Sequence, residues 1–386
     1  MRMKGCLILS ILIGLATLAV GLELSRVRPL WNDELYTQAN ALTSFSYSDI
    51  WKGRVVEGNN SPLFYVIQKA ICDVFGFRLE QTWRGDWFVY DTKAQVDLRM
   101  LPNVCMAAAL AVLFYYFSFH FSVGWALFVL LAVLSVPSTW LHWTEARPYA
   151  PWFLLTVLQS VLFLDVVRHK REGVKAWAGL AVVHTLLSLT ITFGMLQAAA
   201  ACLLLWMFDR RRVLPYVFLA GLPIVIGGFY YARAPKFKFW FFPDVVGLIT
   251  DNVPLEFWGF FVVYLLAVIA LRKEALKEPW MFLCANFFSF AGVMVAMGLS
   301  ILGFLKWKAG PGPEGFSVNS RYFLFLTPVT AVSIALMLRD VSNWTKHAQP
   351  WTRVNLWLAA GGILFVRIFK TYITILASGT FTHVIR

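Results

Sequence analysis

Charged residues are scarce in this chain. Asp, Glu, Lys and Arg make up 14% of its 386 residues, whereas soluble domains run near ~25%. Acids are the scarcer half, with 21 Asp+Glu against 34 Lys+Arg. So few charges cannot cover a folded surface in water, which excludes a soluble enzyme. Cysteine is thin as well. Cys6, Cys72, Cys105, Cys202 and Cys284 are scattered, four of them in apolar runs, with no metal-ligand spacing. That excludes a secreted disulfide scaffold. There is no internal repeat, no low-complexity tract and no inverted pair of broken helices of the transporter type.

What the chain has in excess is apolar: 59% of its residues are hydrophobic. Apolar runs recur at 6–22, 101–121, 125–141, 149–167, 174–189, 191–208, 213–231, 255–271, 280–305, 322–338 and 355–369. A bilayer span needs about 20 such residues, so eleven runs use roughly 220 of them. A single-pass receptor is therefore excluded. The expectation is an all-α polytopic membrane protein of about 11 transmembrane helices, forming one domain over residues 1–386. The first run follows Arg2 and Lys4 and lacks a small-residue cleavage site, so it reads as a retained helix rather than a signal peptide. The weakest boundary lies between 189 and 191, where only Thr190 and Thr192 mark a turn.

Short loops set the orientation. With the N-terminus inside, 15 of the 34 basic residues fall in cytoplasmic segments and 7 in the short outer loops. This asymmetry predicts an N-in protein of the inner or plasma membrane, with the C-terminus outside. The +13 balance then speaks of orientation and lipid phosphate rather than nucleic acid. The first outer segment, 25–98, is too long for a connector. Within it, residues 62–77 place apolar side chains at helical spacing, with Gln68, Lys69 and Asp73 between them. That pattern suits a helix lying in the outer interface.

Most of the few acids sit in loops. Asp33 and Glu34 follow the first span inside Trp31–Tyr36 (WNDELY), flanked by aromatics, unlike a solvated charge run. A carboxylate there can take a proton from a hydroxyl; the plain alternative is a pair of surface loop acids. Glu145 closes the third span beside His142, Arg147 and Tyr149, and either joins the site or makes an ordinary pair with Arg147. Glu34, His142 and Glu145 could hold a divalent metal ion, the one cofactor considered, although nothing in their spacing demands it. Arg321 and Tyr322 open the tenth span, and Arg367 and Lys370 interrupt the last. Each cation either snorkels to headgroups or clamps a phosphate.

Five segments in order then carry a likeness: WNDELYTQANA, NNSPLFYVI, DLRMLPN, HWTEARPYA and SRYFLFLTP. Together they resemble the GT-C membrane glycosyltransferases that use polyprenyl-phosphate-linked sugars. The likeness is greatest to the protein O-mannosyltransferase-like group with the aminoarabinose and galacturonosyl transferases of lipopolysaccharide. It extends from residue 1 to about 338. It implies an inverting transfer of one sugar, on the outer face, to a hydroxyl of a lipid, glycan or protein. Asp33 matches the catalytic base, Glu34 a group holding acceptor or metal, and Glu145 the second acid. Arg147, Tyr149 and Tyr322 match adjoining motif positions, Arg99 and Arg321 match cations near the lipid phosphate, and Asn60 and Tyr65 lie in the second motif.

The sequence also departs from that pattern. Ser61–Pro62–Leu63 replaces Pro-Pro-Leu, Asn59–Asn60 stands where His or Lys is common, and Thr190–Gly194 (TITFG) replaces a His-bearing motif. Residues 78–96 read as an insertion, either a sugar-stacking acceptor element or one more interfacial helix. The short tail after the last span favours a lipid or lipid-linked glycan as acceptor. Two other classes compete with this one: an oligosaccharide ligase using a lipid-linked glycan, and a non-catalytic transporter or flippase subunit. The transporter reading fits poorly because the notable acids gather at one face. A cysteine introduced beside Asp33 should react with a membrane-impermeant thiol reagent on intact cells; labelling only after lysis would invert the topology.

Overall fold

The computed structural model describes residues 2–55, 62–77, 82–84, 87–89, 92–168, 174–208, 219, 221–233, 238–240, 249–271, 281, 285, 308–310, 320–345 and 350–377. Helix dominates. A long α1 (Arg2–Val27) leads into α2 (Asn32–Tyr36), a π-helical turn (Thr37–Thr43), α3 (Tyr47–Trp51) and α4 (Pro62–Phe75). A three-residue ladder pairs β1 (Thr82–Arg84) with β2 (Trp87–Val89), and α5 (Thr92–Leu98) follows. The bundle continues with α6 (Met100–His120), α7 (Val123–Leu134), α8 (Pro137–His142), α9 (Tyr149–Arg168), α10 (Val174–Thr190) and α11 (Thr192–Phe208). It closes with α12 (Leu222–Arg233), α13 (Leu255–Leu271), a 3-10 turn (Ser320–Phe323), α14 (Leu326–Trp344) and α15 (Pro350–Ala377). A second ladder joins β3 (Lys238–Trp240) to β4 (Lys308–Gly310).

The sequence expectations meet this architecture unevenly. The helix expected over 62–77 is α4, which buries Phe64, Tyr65, Gln68 and Cys72 and leaves Val74 and Phe75 exposed. Within 78–96, the described residues form the β1–β2 ladder and the start of α5 rather than one interfacial helix. The span expected over 125–141 is broken into α7 and α8 at Ser135–Val136. Pro137 accounts for the break: it has no N–H to continue α7, and its fixed φ suits the first turn of a new helix. The turn at Ile191 between α10 and α11 is present. The span expected over 280–305 lies outside the described residues, apart from Met281 and Ala285. Four of the described helices are long and apolar enough to cross a membrane, namely those at Met3–Val27, Met100–His120, Tyr149–Val167 and Trp357–Ile375; four shorter apolar helices accompany them.

Packing explains why so few polar residues suffice. α6 is the hub, with α1, α7 and α9 against it, while α10 joins α9 to α11 and α12. One face of α1 carries Leu7, Ile8, Ile11, Leu12 and Leu15, all exposed. Its other face brings small residues against α6: a Cβ on Gly14 would lie 3.3 Å from Ala111 Cβ, and one on Gly21 would lie 2.5 Å from Asn103 Oδ1. Small residues of this kind let membrane helices approach closely. One set of polar groups buried in the bundle satisfies itself. Trp152 Nε1 donates to Gln197 Oε1 (2.7 Å), whose Nε2 donates to Gln159 Oε1 (2.8 Å) and to Thr156 Oγ1 (3.0 Å). Gln159 Nε2 meets His184 Nε2 at 2.9 Å, so His184 donates through Nδ1 to the Leu219 carbonyl, also at 2.9 Å. The chain of donors runs one way and requires a neutral imidazole. In a medium without water this closure is what makes three helices compatible.

The α10–α11 hairpin has almost no loop, and Gly194 makes that possible. A Cβ there would fall 2.0 Å from the Leu187 carbonyl oxygen, which is backbone and cannot step aside. Gly194→Ala should therefore cost at least about 1–3 kcal/mol, read as a lowered melting temperature of the purified protein. Gly228→Ala, with open space around its Cβ, should leave that temperature unchanged or slightly raised.

Candidate active site

The site is assembled at the end of α1, where the chain turns into α2. Five residues cannot hold a helix in place by themselves. Glu34 does it by fastening α2 to two other segments and by closing the helix's own N-cap at Trp31. Its Oε1 accepts from Arg99 Nε at 2.9 Å and from the Ala146 amide at 2.7 Å, while its Oε2 accepts from Arg99 Nη2 and from the Trp31 amide at 3.2 Å. Arg99 stands at the N-terminus of α6 and is equally committed. Nη1 donates to the Ser25 and Arg28 carbonyls and Nη2 to that of Pro29, so all five of its N–H groups end on protein oxygens. Both side chains are fully buried. Gln95 on α5 adds Nε2 bonds to the carbonyls of Ser25 and Arg26.

Asp33 points the other way. Its side chain is 35% exposed, against 0% for Glu34 and 9% for Glu145. Arg321 Nη2 lies 3.1 Å from Asp33 Oδ2, and Arg147 Nη2 lies 3.9 Å from the same oxygen. Arg147 Nη1 donates to Thr37 Oγ1 at 2.7 Å, and the Thr37 hydroxyl donates to the Asp33 carbonyl at 2.8 Å, so the π-helical turn, Arg147 and Asp33 are linked. Arg321 comes from the 3-10 turn before α14. Its guanidinium lies among the rings of Trp31 (5.1 Å), Tyr149 (5.6 Å) and Tyr322 (5.6 Å), a cation among aromatic faces. Burial alone would lower its pKa; Tyr149, Tyr322, Glu145 and Asp33 reverse that and raise it.

Behind this pair lies a second layer of charge. His142 Nδ1 lies 3.0 Å from Glu145 Oε1, and its ring packs 5.4 Å from that of Tyr149. Burial would raise the Glu145 carboxyl, yet His142, then Arg28 and Arg321, hold it below the usual carboxylate range. Arg28 donates to the Trp140 carbonyl (3.2 Å), the Leu141 carbonyl (3.0 Å) and Thr144 Oγ1 (3.4 Å). It thus caps the last carbonyls of α8 and sets the loop that carries Glu145 and Arg147. Burial lowers its own pKa.

The structure therefore brings together Asp33, Glu34, Arg99, His142, Glu145, Arg147, Tyr149, Arg321 and Tyr322. Tyr65 is not among them: it is fully buried on α4 beside Phe64, in a small cluster with Ile50 and Val55. Arg367 pairs instead with Glu256 on α13, at 3.7 Å. Asn60 lies outside the described residues. The candidate metal set does not fit either. Both Glu34 oxygens face N–H donors, Glu145 is surrounded by His142 and two arginines, and no three His, Cys, Asp or Glu groups converge on a metal position among the described residues. Sequence reasoning missed Arg28, Thr37 and the Ala146 amide. An arginine directly after a span and before Pro29 was the available signal for the first; the amide has none.

No protein-family model and no curated protein matches the sequence. Solved structures do match. ArnT from Cupriavidus metallidurans in the apo state aligns over 99% of this chain and 74% of its own, at 13% identity and a TM-score of 0.50. The same protein bound to undecaprenyl phosphate aligns over the same shares, at 13% identity and a TM-score of 0.51. The chain shares the fold of these ArnT structures. With four described helices long and apolar enough to cross a membrane, it is an integral, multi-pass membrane protein.

The Glu34–Arg99 pair makes a sharp prediction. Arg99→Met leaves a buried carboxylate without its cation and should destabilise the protein by about 3–5 kcal/mol. The double variant Glu34→Gln/Arg99→Met should recover part of the loss, as measured by thermal unfolding in detergent. An Arg99→Met protein as stable as the parent would show that the pair carries no weight.

Proposed function

We propose that this protein is an inverting membrane glycosyltransferase that moves a single sugar from a polyprenyl-phosphate carrier to a hydroxyl of a lipid, glycan or protein acceptor on the outer face. The observation that carries the reading is the placement of Asp33: of the three site carboxylates it alone is partly open, and it lies beside two guanidinium groups. The GT-C fold, and an ArnT structure that holds undecaprenyl phosphate, support a lipid-linked donor.

In this reading the acceptor hydroxyl loses its proton to Asp33 as its oxygen attacks the anomeric carbon. The bond from that carbon to the carrier phosphate breaks, its electron pair stays on the phosphate oxygen, and the configuration inverts. Arg321, with Arg147 beside it, faces the growing negative charge in a site where a fixed cation is worth more than in water. Donor phosphate competes with Asp33 for Arg321, so donor binding frees the carboxylate to receive the proton. Glu34 and Arg99 hold the base in place, and Glu145 with His142 supports Arg321 from behind.

Asp33→Asn should reduce transfer by at least ~10²-fold, the lower end of what a positioned base contributes, while expression and membrane insertion persist. Arg321→Ala should lose donor affinity and rate together. Mass spectrometry of envelope lipids and glycans, with and without the gene and with each variant, gives the readout. The expected change is a missing single-sugar increment. A missing oligosaccharide block would mean a ligase, and near-normal transfer by Asp33→Asn would remove the mechanism.

A further inference from the structure

Far along the chain lies a group of charges that the site above does not use. Arg367 and Lys370 are three residues apart on α15 and so share a face. Both meet Glu256 in the first turn of α13: Lys370 Nζ lies 2.7 Å from Oε1, and Arg367 Nη1 lies 3.7 Å from Oε2. Among the described contacts, none links these three to Asp33, Arg147 or Arg321. Two cations against one carboxylate leave one positive charge over.

The surroundings make that charge conspicuous. Phe365, Val366, Phe369, Tyr372 and Ile373 on α15 are all exposed, as are Val262 and Leu266 on α13. These are lipid-facing surfaces, where an unmatched cation is costly. Lys370 reaches outward, with 57% of its side chain exposed. Arg367 does not: its side chain is 14% exposed, and its Nε is buried without a hydrogen-bond partner among the described residues. A guanidinium of five donors is thus served by one long contact, which leaves it open to an anion of several oxygens. Depth is set by α13. Glu256 is its second residue, and both cations reach it there although they lie within the apolar stretch Trp357–Ile375 of α15. The start of an apolar helix is where the headgroups of one leaflet are met.

We propose that Arg367 and Lys370, opposed by Glu256, form a second anion site that takes the phosphate headgroup of a membrane lipid. The phosphate oxygens complete the Arg367 fork and neutralise the surplus charge, while the acyl or prenyl chain lies along the exposed apolar faces of α13 and α15. Glu256 competes with the phosphate for both cations and so sets the affinity.

Native mass spectrometry of the full-length protein in detergent tests this, with phosphatidylglycerol, undecaprenyl phosphate and inorganic phosphate as separate probes. The parent should retain one more lipid than Arg367→Gln/Lys370→Gln, with affinity falling about fivefold for each cation removed. Glu256→Gln should raise retention of the same lipid, a change that a merely structural ion pair would not produce. A difference with phosphatidylglycerol assigns the site to bulk anionic lipid; one with undecaprenyl phosphate alone assigns it to the carrier. Equal lipid retention in all three proteins overturns the proposal, as does retention of inorganic phosphate without lipid. Should the double variant fail to fold, unchanged or reduced lipid retention by Glu256→Gln overturns it as well.

Discussion

The buried pair of Glu34 and Arg99 is the contact on which the rest of the site depends. Neither group can be left alone in a low-dielectric interior, because each charge without the other costs several kcal/mol. The structure meets that demand completely: the carboxylate takes four N–H donors, and the guanidinium gives all five of its own. What results is a rigid knot at the mouth of α1 that gathers the start of α6 and the loop before α9. Asp33, one residue away, is fixed without making any of these bonds itself. The helix rotates about 100° per residue, so an acid locked inward leaves its neighbour facing outward.

Adjacent acids between aromatics were legible in the sequence. Which of the two stays partly open and which holds the scaffold was not readable from composition, because the distinction lies in partners more than sixty residues away. Arg99 shows the same limit. The sequence marks it as a cation at the outer end of a span, a description that fits a phosphate contact and a structural staple equally. Only the geometry shows its donors spent. Arg321 was read as a cation at the head of an apolar run, to snorkel or to clamp a phosphate, and the rings around its guanidinium were not legible. Its neighbours Trp31 and Tyr149 come from distant loops, and no spacing reports them.

Helix boundaries follow the same logic. Pro137 was visible inside an apolar run and does end α7, because the physics of a missing N–H is local. Gly194 was visible too, but its reason is a carbonyl on the preceding helix, which is a tertiary fact. Of the two readings of the insertion over 78–96, an acceptor element or one more interfacial helix, the ladder that its described residues start with replaces only the helix. Three-residue strands carry too little alternation for a sequence to announce them.

Not every support of the site is made of side chains. The Ala146 amide holds Glu34 through the backbone, at 2.7 Å, and any residue other than proline offers the same N–H. The bond itself therefore leaves no mark on side-chain chemistry at this position. An alanine scan would pass over position 146 altogether and would assign the loop's role to Glu145 and Arg147 alone. Space still limits what can stand there, because Ala146 is fully buried, whereas proline would release the knot from one side without altering a single charge.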